Sequence, residues 1–500
     1  MEREALLGLD VGTTGVKAIV FDSDGSPIGG GSREYGIRSR EPAMAEQDPE
    51  EVWRHSREAM RQAVAASGVR QLKAIGVSTQ GDAIIAVDGR LEPVHPAILG
   101  MDYRSAEEAR WCGRGTAARR LFNLTGMRPH AMNSIVKALW LKRQRPEAWR
   151  RTRRILTYAD FILARLGAQP VIDWTMASRT MAFDLRRRTW SEEVLGALDI
   201  DAGMLSPIVA PGTAVGTLAE GIGVAPGTAL ATGGHDQTCA AVGAGVVEDG
   251  LGLLSAGTAD VLSTTSARPF LSRAMFEGFY PCYLHARPGF YFTFALNHIG
   301  GILLRWYRDT FGGEEVRAAR EQGTDPYDRI LARIPAGPSP VMVLPHFNGS
   351  GNPVCDMHSR GAIVGLSLAT TREEIVKAIL ESLAFELRVN LDYLQGAGLR
   401  VRELRAVGGG AKSPAWLQIR ADVLGRPIRT LKVREAACLG AALLAGTASG
   451  VYASVDEGIA RTVHTGDEYL PDQAATAAYR ERYGVYRGIY PALRAVNAQL

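Results

Sequence analysis

The chain has 500 residues, too many for one hydrophobic core, so two or more domains are expected. Apolar residues make up 46% and charged residues 22%, which excludes a disordered or fibrous chain. Lysine and arginine outnumber the acids by 57 to 53, and a net +4 over this length excludes a nucleic-acid-binding surface of the usual basic kind.

Two basic runs, residues 149–154 and 186–188, read as solvated helix or turn faces. The cysteines, Cys112, Cys239, Cys282, Cys355 and Cys438, are odd in number and contain no C-x-x-C pair, so a reducing cytoplasm is expected rather than a disulfide framework or structural zinc. Residues 1–4 run straight into a strand pattern without a charged-then-apolar leader. No apolar stretch reaches the roughly 18 residues that a membrane helix needs, so a soluble protein without a membrane partner is expected.

In chain order, residues 6–9 lead as a strand into Asp10-Val11-Gly12-Thr13-Thr14-Gly15, and residues 16–21 leave it as a second strand. Asp22-Ser23-Asp24-Gly25 turns the chain again. Pro49 opens a helix with Glu50 and Glu51 in its first turn. Residues 74–78 and 83–87 read as strands, and a helix-rich stretch runs from about 105 to 205. Strand patterning returns near Leu230, and residues 252–262 repeat the opening plan of strand, Gly-Thr turn and strand. Residues 402–407 read as a strand before Gly408-Gly409-Gly410, with a helix over about 414–424. This alternation predicts an α/β chain of two similarly built domains. The boundary falls within residues 245–250, giving domains of residues 1–247 and 248–500 with a ligand cleft between them.

Three sets of residues carry candidate chemistry. In the first turn, glycine backbone N–H groups, Thr13, Thr14 and Lys17 suit a phosphate, and Asp10 suits a water-mediated Mg²⁺; a plain hairpin with a surface lysine is the alternative. Asp236, in Gly233-Gly234-His235-Asp236-Gln237, lies at a strand-to-helix turn where an acid can accept a hydroxyl proton; an N-cap role is the alternative. His235 reads as a hydrogen-bonded structural residue. Gly257-Thr258, Gly300-Gly301 and Gly408-Gly409-Gly410-Ala411 offer bare backbone to a nucleotide, or are ordinary turns.

In order along residues 6–446, these segments resemble the FGGY family of carbohydrate kinases, of the sugar kinase, Hsp70 and actin superfamily. The resemblance includes Glu46-Gln47-Asp48-Pro49, the stretch from Met132 to Leu141 (with Ala138 where a larger apolar residue is usual), residues 361–366 with 374–381, and Gly408 to Ser413 with Trp416, Gln418 and Asp422. It implies two RNase H-like, actin-like ATPase domains around a cleft, and an ATP- and Mg²⁺-dependent kinase acting on a sugar or polyol hydroxyl, similar to xylulokinases. A homodimer stays open. Asp236 would be the catalytic base and Asp10 would organise Mg²⁺. Thr13, Thr14, Lys17, Gly257, Thr258, Gly300 and Gly301 would lie near the phosphates, and Gly409, Gly410 and Ala411 near adenine. The sugar would meet Gln80, Gly81, Asp82, Asp102, Arg104, Asp236 and Gln237. A nucleotide-driven binding protein or a sugar-sensing pseudokinase is the alternative; intact Asp10 and Asp236 argue against the second.

The sugar segment departs from the family. Gln80-Gly81-Asp82 stands where xylulokinases resemble Gln-Met-His and glycerol kinases Gln-Arg-Glu, and Gly100 stands where Trp is frequent. The expectation is that Gly81 and Gly100 leave space and that Asp82 adds a hydroxyl acceptor, which puts D-xylulose and glycerol in doubt.

Overall fold

A computed structural model describes residues 4–41, 43–219 and 221–500, so the reading of residues 1–3 lies outside the described residues. The first strand, Ala5–Val11, has Leu6, Leu7, Leu9 and Val11 buried on both of its faces, as a central strand requires. On one side Gly15–Asp22 and then Pro27–Glu34 follow it antiparallel. On the other, Ala74–Thr79 and Ala229–His235 run parallel to it, and Ala214–Thr217 closes the edge antiparallel.

The second sheet has the same plan. Leu251–Ala256 is central, with Asp260–Ser266 and Tyr291–Asn297 antiparallel on one side. Glu403–Val407 and Ile428–Leu431 run parallel on the other, and Thr465–Tyr469 closes the edge antiparallel. Its one addition is the short strand Tyr283–Leu284 beyond Tyr291–Asn297. The repeat that is weak in letters is therefore a repeat of topology.

The expected strand over 83–87 is narrower, Ile85–Val87, and pairs with Arg154–Leu156 outside the main sheet. The chain leaves the first sheet at Gln80 and turns at Asp82, whose φ is 67°. The helix-rich middle is as read, and its basic runs end helix Pro146–Arg151 and turn between Phe183–Asp184 and Thr189–Trp190. The five cysteines are free thiols. No helix among the described residues is long and apolar enough to cross a membrane.

Helix Ala436–Ala448, which follows the strand Ile428–Leu431 of the second sheet, crosses back onto the first sheet and joins the two halves. It lies so close that a Cβ on Gly8 would stand 1.8 Å from the Cys438 carbonyl oxygen, and one on Gly76 2.0 Å from that of Ala441. Neither backbone can move without the other. Gly8→Ala should therefore destabilise the protein by about 3 kcal/mol or more, the upper end for overpacking, in urea denaturation. Wild-type stability in that variant would show that the helix is not pinned there.

Candidate active site

Three neighbouring strands of the first sheet end side by side, and ligands of α/β sheets bind at such carboxyl ends. Ala5–Val11 delivers Asp10 and the hairpin 12–14, Ala74–Thr79 delivers Gln80, Gly81 and Asp82, and Ala229–His235 delivers Asp236 and Gln237. Asp236 is the first residue of helix Asp236–Gly243 and His235 its N-cap, which displaces the N-cap alternative by one position.

Asp236 Oδ1 accepts the Gln237 N–H at 2.6 Å, and His235 Nε2 approaches the same oxygen to 3.2 Å. Oδ2 has no protein partner among the described residues, and 30% of the side chain is open. Loss of water, and then the facing Asp10, push this carboxyl up to about 7. Burial also raises Asp10, against the 2.8 Å hydrogen bond from Ser78 Oγ and the charge of Lys17. Lys17 itself is half exposed and lies 3.8 Å from Glu435 of the second half.

The hairpin is clamped from behind. Tyr35 Oη donates to the Gly12 and Gly15 carbonyls, Gln47 Nε2 donates to the Thr13 carbonyl, and Tyr35 N–H donates to the Thr14 carbonyl. Gln80 belongs to this clamp: it accepts from Thr13 Oγ1 at 3.2 Å and donates to the Gly12 carbonyl and to Gln47 Oε1. Its amide oxygen and nitrogen both have partners within the protein.

Asp102 and Arg104 are likewise bonded within the protein. Both side chains are buried, the guanidinium bonds Asp102 and Glu46, and the Ala45 N–H bonds Asp102. The group stacks on Trp140, 4.9 Å from the ring centre. This is framework.

Gly81 and Gly100 do not leave empty space either. A Cβ on Gly81 would lie 2.7 Å from His235 Cδ2 and Nε2, and one on Gly100 3.2 Å from Asp82 Cβ. His235 and Asp82 fill the volume. Asp82 Oδ2 accepts from Arg179 at 2.7 Å, while Asp82 Oδ1, Arg179 Nε and Gln237 Oε1 are buried without a hydrogen-bond partner among the described residues. Lys137 Nζ donates to the Asp82 and Met132 carbonyls, and burial brings it down to about 7. His130 accepts the Met132 N–H at Nδ1, and burial brings it down to about 4, so it is a neutral Nε2–H donor. Arg179, His130 and Lys137 were missed in the sequence. Lys137 lies in the quoted stretch 132–141, His130 falls two residues before it, and Arg179 gives no local signal.

The second sheet's carboxyl ends frame a cavity of about 730 Å³. Gly257, Thr258, Gly301, Gly409 and Gly410 line it together with Trp416, which the resemblance included, and with Arg305, Tyr327 and Asp328, which the sequence did not single out. Gly300 adjoins it through its N–H to the Thr258 carbonyl, and Ala411, partly buried, packs against the neighbouring core rather than lining the cavity. Thr13, Thr14 and Lys17 belong to the first sheet and do not line it. Arg420, from helix Pro414–Leu424, forms a fully buried ion pair with Asp260 and stacks 4.0 Å from the Trp416 ring centre.

Residues 5–243 match the N-terminal domain, and residues 252–449 the C-terminal domain, of the FGGY family of carbohydrate kinases. The chain belongs to that family. This carbohydrate kinase is 26% identical to the xylulose kinase of Bacillus subtilis, over 99% of this chain and 98% of that one. It is 31% identical to the glycerol kinase of Deinococcus radiodurans, over 91% of each. Among solved structures, the gluconate kinase of Lactobacillus acidophilus superposes with a TM-score of 0.90 at 25% identity over 100% of both chains. The kinase thus has the two-domain actin-like ATPase fold, with ATP as phosphoryl donor to a small-molecule sugar or polyol.

In this kinase, Arg420→Met would leave Asp260 buried and unpaired beneath the cavity. A loss of about 3 to 5 kcal/mol is expected in denaturant unfolding. A change within about 0.5 kcal/mol would show that the pair does not hold the frame.

Proposed function

We propose that residues 1–247 supply the sugar site and the base, that residues 248–500 supply the nucleotide site, and that the acceptor is a neutral ketose or polyol. The observation that supports this is Asp236: a carboxyl poised at about 7, with one oxygen bonded and the other free, at the strand ends between the two sheets. Its Oδ2 takes the proton of the hydroxyl that attacks the γ-phosphate. Hairpin N–H groups with Thr13, Thr14 and Lys17, and the bare backbone at Gly257, Thr258, Gly300 and Gly301, receive the phosphates; Gly409, Gly410 and Ala411 border the adenine. Closure of the two halves excludes water.

Mg²⁺ fits this donor set. Asp10 is a half-buried carboxyl raised by lost hydration, a state that a cation relieves, and Mg²⁺ needs only one or two carboxylates because it keeps water and takes phosphate oxygens. Asp10 would hold it; when bound, the ion offsets phosphate charge.

Charge supports a neutral acceptor. Arg179 is paired with Asp82, and Arg104 with Asp102 and Glu46, so the charge of each is already balanced within the protein. The orphaned Asp82 Oδ1, Arg179 Nε and Gln237 Oε1 are two acceptors and one donor, which suit hydroxyls. A coupled ADP-release screen over ketoses, polyols and aldonates is expected to place a neutral ketose or polyol, other than D-xylulose or glycerol, highest in kcat/KM. Gluconate at the top would contradict the neutral-acceptor reading.

On that substrate, Asp236→Asn should lower kcat by about 10² to 10⁴-fold. Because the base must be ionised and its pKa is raised, wild-type kcat/KM should fall about tenfold per unit as pH drops below about 7. More than roughly a tenth of kcat in Asp236→Asn, or a flat profile from pH 5 to 8, would require another base. Asp10→Ala should impair Mg²⁺-ATP use and spare sugar binding in calorimetry; loss of sugar affinity with normal Mg²⁺-ATP affinity and turnover would reverse its role.

A further inference from the structure

His235 is placed where a structural histidine has no need to be. Its ring is buried, Nδ1 lies 3.0 Å from Tyr283 Oη, and Nε2 lies 3.2 Å from Asp236 Oδ1. Tyr283 belongs to the edge strand by which the second sheet exceeds the first, so the contact spans the two halves. Arg179 lies over the same aromatic surface, 5.3 Å from the Tyr283 ring centre and 5.1 Å from that of Phe294.

The protons in this chain are fixed by elimination. Burial and the neighbouring Arg179 hold His235 well below its ordinary value, so the ring is neutral and carries one N–H. Burial holds Tyr283 well above its ordinary value, so its hydroxyl keeps its proton. An ionised Asp236 cannot face a ring lone pair at 3.2 Å without repulsion, so Nε2 carries the hydrogen and Nδ1 accepts from Tyr283.

We propose that His235 is a positioning residue for the base. Tyr283 fixes its tautomer, and the Nε2–H dipole, 3.2 Å from Oδ1 though not aligned as a hydrogen bond, orients Asp236 so that Oδ2 is presented to the acceptor hydroxyl. The inference rests on Asp236 being the base. It also gives Gly81 a role: any side chain there would occupy the place of the His235 ring, as the 2.7 Å approach shows. The relay closes only when the edge strand of the second sheet is seated against the first half, so the base is oriented by the arrangement of both halves.

Asp236 is faced by Asp10, Asp82 and Arg179 as well as by His235, so the test must separate the relay from general electrostatics. Tyr283→Phe removes one oxygen and keeps the ring that packs against Phe292 and Phe294. With the substrate found in the screen, it should lower kcat about tenfold with KM for sugar and ATP within about twofold, and move the acidic limb of kcat/KM to higher pH, because a carboxylate that loses a donor binds its proton more tightly. His235→Ala should lower kcat further, His235→Gln should restore part of it, and Tyr283→Phe should have no added effect in the His235→Ala background.

Wild-type kcat and pH profile in Tyr283→Phe, or effects of the two substitutions that simply multiply, would overturn the relay. If Asp236→Asn is inactive while Tyr283→Phe is normal, the relay alone fails. If Asp236→Asn remains active, the base assignment fails first.

Discussion

Two half-buried carboxyl groups, Asp10 and Asp236, share the strand ends of one site, each raised by lost hydration and Asp236 further raised by the charge of Asp10. Folding alone disfavours such a pair, so the surrounding structure must hold it. Strand register does the first part: Ser78 pairs with Asp10 on one side and with Gly234 on the other. Backbone packing does the second, since helix Ala436–Ala448 rests directly on Gly8 and Gly76, which lie two positions before Asp10 and Ser78 respectively. A site strained by like charge is kept by elements that have little freedom to relax.

The polar residues near the cleft divide into framework and contact by whether their bonds are already made. Gln47, Gln80, Asp102 and Arg104 have their hydrogen bonds filled by protein and fix the hairpin and the floor. Asp82, Arg179 and Gln237 each keep a buried atom without a partner among the described residues. Buried polar atoms are ordinarily satisfied, so these mark where a ligand completes the structure. Unlike the framework, they lie next to Asp236 in sequence or in charge.

Much of this was legible in the sequence because tight turns have strong local signatures. The strand–Gly-Thr–strand plan located both hairpins, and the acid after Gly233-Gly234 located Asp236 at a strand end. Which side chains face inward was not legible. Gly81 and Gly100 read as empty space because a sequence cannot show that His235 and Asp82, the first 154 positions away, fill it. Arg179 and Tyr283 come from elements whose local composition only reports burial, and Arg305 and Tyr327 reach the second sheet's cavity through helix packing rather than through a loop motif. The same limit applied to Gln80, whose amide is directed to a hairpin nearly seventy residues earlier.

The central claim, that Asp236 is the base at the meeting point of the two sheets, is tested most directly by a crystal structure of the enzyme with ADP, Mg²⁺ and the sugar that the screen identifies. The account predicts one sugar hydroxyl about 3 Å from Asp236 Oδ2 and directed toward the β-phosphate across the cleft. A sugar bound with its nearest hydroxyls on Asp82 and Arg179 alone, and none within hydrogen-bond reach of Asp236, would contradict it.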